Sequence, residues 1–399
     1  MRTHTGTRSP LLRLVALLAA LGLIAAACED ADFADEPDDD PIEDDIEEDP
    51  DPDPDEEPDE DEEEEDEVAE VRLEDAPISD PPDIECGVTP EDVEEQTINF
   101  GIGLAGTSPQ GLSVEFFGDY LEECTDGALT VELFPDSQIG DDLEMMDGLQ
   151  TGTLEMTFPS TSPAVEIVPE LGVFDLPFLM PDNETADEVL DSEIGDQLLD
   201  EFEGTGIKAL EWAENGFRQV TNSVGPIEEP ADLEGLNLRV MENPIHVDTW
   251  ETLGADPTSM AFGEVFSALE QGVIDGQENP WSTNVTSNFW EVNAYGSETR
   301  HVYTPFIMMM AEDFYEGFPE DVQELIDEAA EETKFYQRTI SREMDEWSRE
   351  QFDDLGPDVN VLDEDQLDEF AEAAQPVYDE WRDEIGEDLV DDVLEMTQS

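Results

Sequence analysis

The stretch GLNLRVMENP, residues 235–244, sets Arg239 inside an apolar, extended pattern, and NGFRQVTNS, residues 215–223, sets Arg218 at the head of another. A guanidinium offers two parallel N–H donors that match a carboxylate, a fork that lysine lacks. A strand covered on both faces should be continuous valine, isoleucine and leucine. An arginine there has to be paired or face a cleft, because an unpaired buried charge is costly. Two arrangements satisfy this: Arg239 lines a ligand crevice at a strand end, as open α/β sheets allow, or it pairs with a carboxylate of its own chain. The sequence leaves both open. Other reactive types are sparse. The histidines are His4, His246 and His301, with no metal-ligand spacing, and the cysteines are Cys28, Cys86 and Cys124. The glycines of GIGLAG, residues 101–106, are not counted as a dinucleotide signature. Carboxylate pairs carry no signal in so acidic a chain. No catalytic residue, metal or cofactor is expected.

The elements that would position these arginines alternate. TINFGIGLA (97–105) reads as a buried strand, SPQGLSVEFFGDYLEECTDG (108–127) as a helix, LTVELFP as a strand, DDLEMMDGLQTG as a helix and TLEMTF as a strand. IKALEW (207–212), LNLRVM (236–241), GVIDG (272–276) and HVYTPFIMMM (301–310) read as further strands, and everything after 319 as helix. Strands alternating with helices indicate βαβ units and a mostly parallel sheet, an α/β fold. Lys334, Arg338, Arg342 and Arg349 fall at helical spacing among acids, so solvated or i,i+4 pairing is expected.

The two ends of the chain set its location. Arg2, Arg8 and Arg13 precede the apolar LVALLAALGLIAAAC, the order of a secretory signal, and Cys28 after three alanines fits an acylation site. An acylated Cys28 would anchor the chain outside the cell. Cys86 and Cys124 then remain as an even pair in an oxidising compartment, and a disulfide is expected. Residues 29 to about 85 are acidic, proline-rich and nearly free of apolar residues, so they read as an extended spacer. Asp51, Asp53, Asp55 and Glu62 copy the first, third, fifth and twelfth positions of a calcium loop, but Glu56 stands where its glycine is needed. Beyond residue 96 the chain has 73 acidic residues against nine basic ones. That balance predicts self-repulsion relieved by salt, a halophilic protein, and excludes nucleic acid or an anionic membrane surface as partner.

The run NGFRQVTNSVGPIEEPADLEGLNLRVMENP, then LGADPTSMAFGEVFSALEQGVIDGQENP, resembles the solute receptors of TRAP transporters, the DctP family. FPDSQIGDDLEMMDGLQTGTLEM and VPELGVFDLPFLM resemble it upstream, in the same order, so the likeness covers roughly 97–390. It implies a periplasmic-binding-protein-like receptor, a monomer of two α/β lobes with a hinge, a cleft and a helical C-terminal segment. Lobe I would take 97–215 with part of about 304–343, and lobe II 216–303 with part of about 344–399. The implied partners are a small organic acid and the small and large TRAP membrane subunits. The family's carboxylate-holding arginine corresponds to Arg239 and its neighbour to Arg218; Asn279 and Phe262 correspond to residues that orient and cover the solute. Thr107, Ser108, Ser160 and Trp281 are candidate hydroxyl or ring contacts. Leu104 and Ser160 stand where the sialic-acid branch has a polar and an acidic residue, so a C4-dicarboxylate or sugar acid is the expected ligand. A lipoprotein serving a sensor or an ABC importer would use the same pocket, and gene neighbourhood would separate the two.

Overall fold

The computed structural model describes residues 76–398. The expected signal peptide, the acylation site at Cys28, the calcium-loop mimic and most of the acidic spacer lie outside the described residues.

Lobe I opens with β1 (Gln96–Gly101), α1 (Pro109–Cys124), β2 (Leu129–Phe134), α2 (Asp142–Thr151), β3 (Met156–Thr157) and α3 (Thr161–Ala164). Each helix start is written locally. The Ser108 hydroxyl accepts from the Gly111 N–H with Pro109 in the first turn, and Asp141 and Glu144 form a reciprocal capping box on α2. A 3-10 segment, Pro169–Asp175, leads to α4 (Asn183–Leu190), α5 (Glu193–Asp200) and the eleven-residue β4 (Ile207–Phe217). The chain then passes through Arg218 into lobe II: β5 (Gln219–Asn222), β6 (Asn237–Val240), α6 (Pro244–Leu253), β7 (Asp256–Ser259), α7 (Val265–Glu270), β8 (Gly276–Asn279), α8 (Trp281–Thr286) and β9 (Tyr295–Glu298). It returns to lobe I as β10 (Tyr303–Ala311) and α9 (Glu312–Glu316), and ends with α10 (Glu320–Asp354), β11 (Asp358–Val361), α11 (Glu364–Ile385) and α12 (Glu387–Thr397).

Two sheets result, ordered β2-β1-β3-β10-β4 and β11-β9-β5-β8-β6-β7. They are mixed rather than mostly parallel: β10 runs antiparallel to β3 and β4, and β5 antiparallel to β8 and β9. The antiparallel strands flank the two crossings between lobes. The β4–β5 connection leaves lobe I beside the chain that returns into β10, and the Arg218 N–H bonds the Val302 carbonyl where they meet. Two helices also span the lobes. The 35-residue α10 packs on α1 and β4 and, further along, on α8, so a boundary at 344 runs through its middle. From α11, Phe370 and Ala374 enter the lobe II core while Val377 and Ile385 enter a lobe I cluster.

Several expectations change. GVIDG is a turn: Gly272 adopts φ +65° after α7, and the Asp275 carboxylate accepts the Asn237 N–H at 2.9 Å, so the strand begins only at Gly276. The helical tail is broken by β11, because Gly356, at φ +119°, and Pro357 stop α10. The spacer's last residues are already packed, with Ile78 and Ile84 against the lobe I core and Ser79 bonded to Glu343. The cations of α10 pair with other elements, not along their own helix. Arg338 and Arg342 share Asp187, Arg338 also reaches Asp191, Arg342 reaches the buried Glu214, Lys334 reaches Asp191 and Glu211, and Arg349 reaches Glu298. Helical spacing located these side chains but carried no information about α4 and β4 lying beside them. Cys86 and Cys124 are disulfide-linked with their Cα atoms 5.6 Å apart, tying the segment before β1 to the end of α1.

Candidate functional site

Arg239 sits in β6, held between β7 and β8, with Leu238 and Val240 fully buried on either side. The strand therefore carries the guanidinium to the cleft side, where it is 2 % exposed. Its Nε and Nη2 donate to the Met260 carbonyl at 2.9 and 2.6 Å, while Nη1 is buried with no partner. No carboxylate lies within ion-pairing distance of Arg239 among the described residues. Burial pulls its pKa down to about 10, with the Glu278 charge opposing, so it stays cationic at neutral pH. The ring of Phe262 stands 6.0 Å from the guanidinium carbon and shields one side of it.

Arg218 is treated differently. It is fully buried at the lobe crossing, its Nε on one Glu278 carboxylate oxygen and its Nη2 3.0 Å from the other. His301 Nε2 lies 3.0 Å from the same carboxylate. Burial raises Glu278, but the Arg218 charge and the His301 contact outweigh it and hold the carboxyl far below the usual range. Arg218 is thus neutralised, although its Nη1 is also buried without a partner.

Both arginines line one cleft between the lobes, enclosing about 550 Å³ of space with its open mouth included. Asn279, at the end of β8, lines it and donates to Gln277 at 2.6 Å; Phe262 and Ser160 line it too. Ser160 caps α3, and its hydroxyl reaches Met241 of lobe II at 3.5 Å. Asn243, capping α6, donates to the Ser162 carbonyl and to Asp175 of lobe I at 2.9 and 2.7 Å, so polar contacts cross between the lobes beside the cleft. Three candidates do not reach it. Thr107 is exposed in the turn before α1, and the neighbouring Ser108 spends its hydroxyl on the helix cap. Trp281 is 2 % exposed but opens α8, and its ring packs on Phe352 beneath Arg349.

Sequence reasoning missed Gln110, Asn215, Asp142 and Glu242, which also line the cleft. Asn215 had a signal, three residues before Arg218 in the NGFR run. The two acids had none, because carboxylates are everywhere in this chain. Asp142, half-buried at the start of α2, is pushed up to about 7 by burial, against the pull of the Ser160 N–H, 3.3 Å away. Burial raises Glu242 as well. GIGLAG does carry the G-x-G-x-x-G order. What sets it aside is placement: α1 begins only at Pro109, the Ser108 side chain takes the Gly111 amide, and Gly103 and Leu104 belong to the cleft wall.

Residues 100–384 match the family model of DctP, bacterial extracellular solute-binding protein, family 7. The chain belongs to the DctP family of TRAP-transporter solute receptors. The fold agrees with solved members of the family: the sugar acid binding protein DctPAm of Advenella mimigardefordensis, crystallised with galactonate, has a TM-score of 0.76 at 36% identity, covering 77% of this chain and 99% of that one. The 2,3-diketo-L-gulonate-binding periplasmic protein YiaO of Escherichia coli is 35% identical over 62% of this chain and 76% of its own. The C4-dicarboxylate-binding periplasmic protein DctP of Rhodobacter capsulatus is 32% identical over 74% and 90% respectively. As a DctP-family receptor the protein works outside the cytoplasm and binds solute for transport without being an enzyme.

Proposed function

We propose that this receptor captures an organic acid by seating its carboxylate on Arg239, closes its two lobes about the crossings at Arg218 and Val302, and presents the closed form to the small and large TRAP membrane subunits. A lipid on Cys28 would hold it at the membrane face, with the acidic segment as tether. One observation carries the reading: a buried guanidinium on a cleft wall, unpaired with any carboxylate among the described residues, keeps Nη1 free for a ligand. Its Met260 bonds fix the fork, so little orientational entropy is lost on binding. Arg218 and Asn279 flank that position, and Phe262 excludes water, which strengthens the ionic contact. The relatives named above bind, by their descriptions, galactonate, 2,3-diketo-L-gulonate and C4-dicarboxylates, all carboxylates. Closure is a population shift, so the solute has to bind the closed form better than the open one.

The test is a thermal-shift screen of organic acids in high salt. At about 100 times the dissociation constant, a true ligand adds roughly 2.7 kcal/mol of stability. Arg239→Ala is expected to abolish the response and Arg239→Lys to weaken it at least about tenfold, since lysine cannot supply the fork. An Arg239→Ala receptor that responds in full would remove this residue from the site.

A further inference from the structure

We propose that the cleft selects polyhydroxy monocarboxylates of the aldonate class and rejects dicarboxylates, with Asp142 and Glu242 as the selecting side chains. This deepens the reading above and rests on it. The charges in the cleft are unequal. Glu278 already neutralises Arg218, which leaves Arg239 as the one unpaired cation among the lining residues. Three carboxylates share the same lining: Asp141 and Asp142 at the start of α2, and Glu242 three residues beyond Arg239. Asp142 and Glu242 line the same cleft as Arg239, so they border the space where a solute bound to it would lie. One Asp142 oxygen accepts the Ser160 N–H; its other oxygen and both of Glu242 accept no hydrogen bond among the described residues.

An ionised carboxylate is an acceptor only, so this wall is complementary to a ligand that donates. The far end of a dicarboxylate brings two more acceptors and a further negative charge, and like charges in such contact cost several kcal/mol in binding. A chain of hydroxyls donates to Asp142 and Glu242 and also accepts from the amides of Asn215 and Asn279. An ammonium group would satisfy the acids as well, but the unpaired Arg239 guanidinium repels it.

Matched pairs decide it. Gluconate and glucarate, galactonate and galactarate, and threonate and tartrate each differ only in a terminal CH2OH replaced by a carboxylate. Titration calorimetry of the secreted receptor, in high salt at pH 8, should find at least one aldonate bound about 30-fold or more tighter than its dicarboxylate partner, with succinate and glutamate weaker still. Asp142→Asn and Glu242→Gln should each narrow that ratio several-fold, and the ratio reads selection even where overall affinity drops. The inference is overturned if a dicarboxylate or glutamate binds as tightly as the aldonates, or if both variants leave the ratio unchanged. Tight dicarboxylate binding that still needs Arg239 would sink the selection alone. Binding indifferent to Arg239→Ala, or no binding by any carboxylate, would sink the underlying reading and this one together.

Discussion

Two arginines of the same strand-rich region meet opposite fates because of one neighbour each. Glu278 lies on β8 beside Arg218 and takes its charge, whereas Arg239 finds, among the described residues, only the Met260 carbonyl as hydrogen-bond partner. Removing Glu278 leaves a cation stranded at 0 % exposure, so Glu278→Gln is expected to lower stability by about 3–5 kcal/mol in urea unfolding. Asp345 gives a second residue-scale test. Burial between α10 and α8 pushes its carboxyl up to about 7, although the Ser282 N–H, 2.9 Å away, pulls the other way. An acid whose folded pKa is raised above its unfolded value holds its proton in the fold through that window, and stability falls as pH rises across it. Asp345→Asn keeps an acceptor and does not titrate. It should therefore gain stability relative to the parent between pH 4 and 7, by on the order of 1 kcal/mol in paired thermal melts. A difference that stays flat with pH would show that Asp345 is not raised.

At the scale of elements, α10 is the member to which both lobes attach. Its apolar stripe, Val322, Leu325, Ile326, Ala329 and Ile340, follows helical periodicity and packs on lobe I, so its existence was legible. Its ion pairs were not, because Asp187, Asp191 and Glu214 come from α4, the turn after it, and β4, which are distant in sequence. The disulfide behaves similarly: compartment and parity predicted the pair, while its consequence depends on the loop it closes. Cys86 and Cys124 are 38 residues apart, spanning β1 and α1. Reduction, or Cys86→Ser with Cys124→Ser, should lower stability by about 2–4 kcal/mol while leaving solute binding intact, since neither cysteine lines the cleft. Intact mass with and without reductant checks the bond itself.

For the whole molecule, 73 acidic residues beyond position 96 meet nine basic ones, and most of those nine are committed to ion pairs. Self-repulsion would then have to be relieved by counterions rather than by the chain. Lowering salt from about 1 M to about 10 mM stretches the screening length from about 3 to about 30 Å and should depress the melting temperature by many degrees. A melting temperature indifferent to salt would remove the halophilic reading.

Strand and helix patterns, caps such as Ser108 and Asp141, and the order of the long motifs are local, because periodicity and first-turn hydrogen bonds involve residues a few positions apart. They were enough for the α/β class, the family and Arg239 as a candidate. Whether Arg239 faced a cleft or an internal carboxylate, which acids share its pocket, and that Thr107 and Trp281 point elsewhere depended on how side chains of separate elements meet in space. Charge pairing falls off over a few ångströms of space and takes no account of separation along the chain, so only the folded arrangement could assign it.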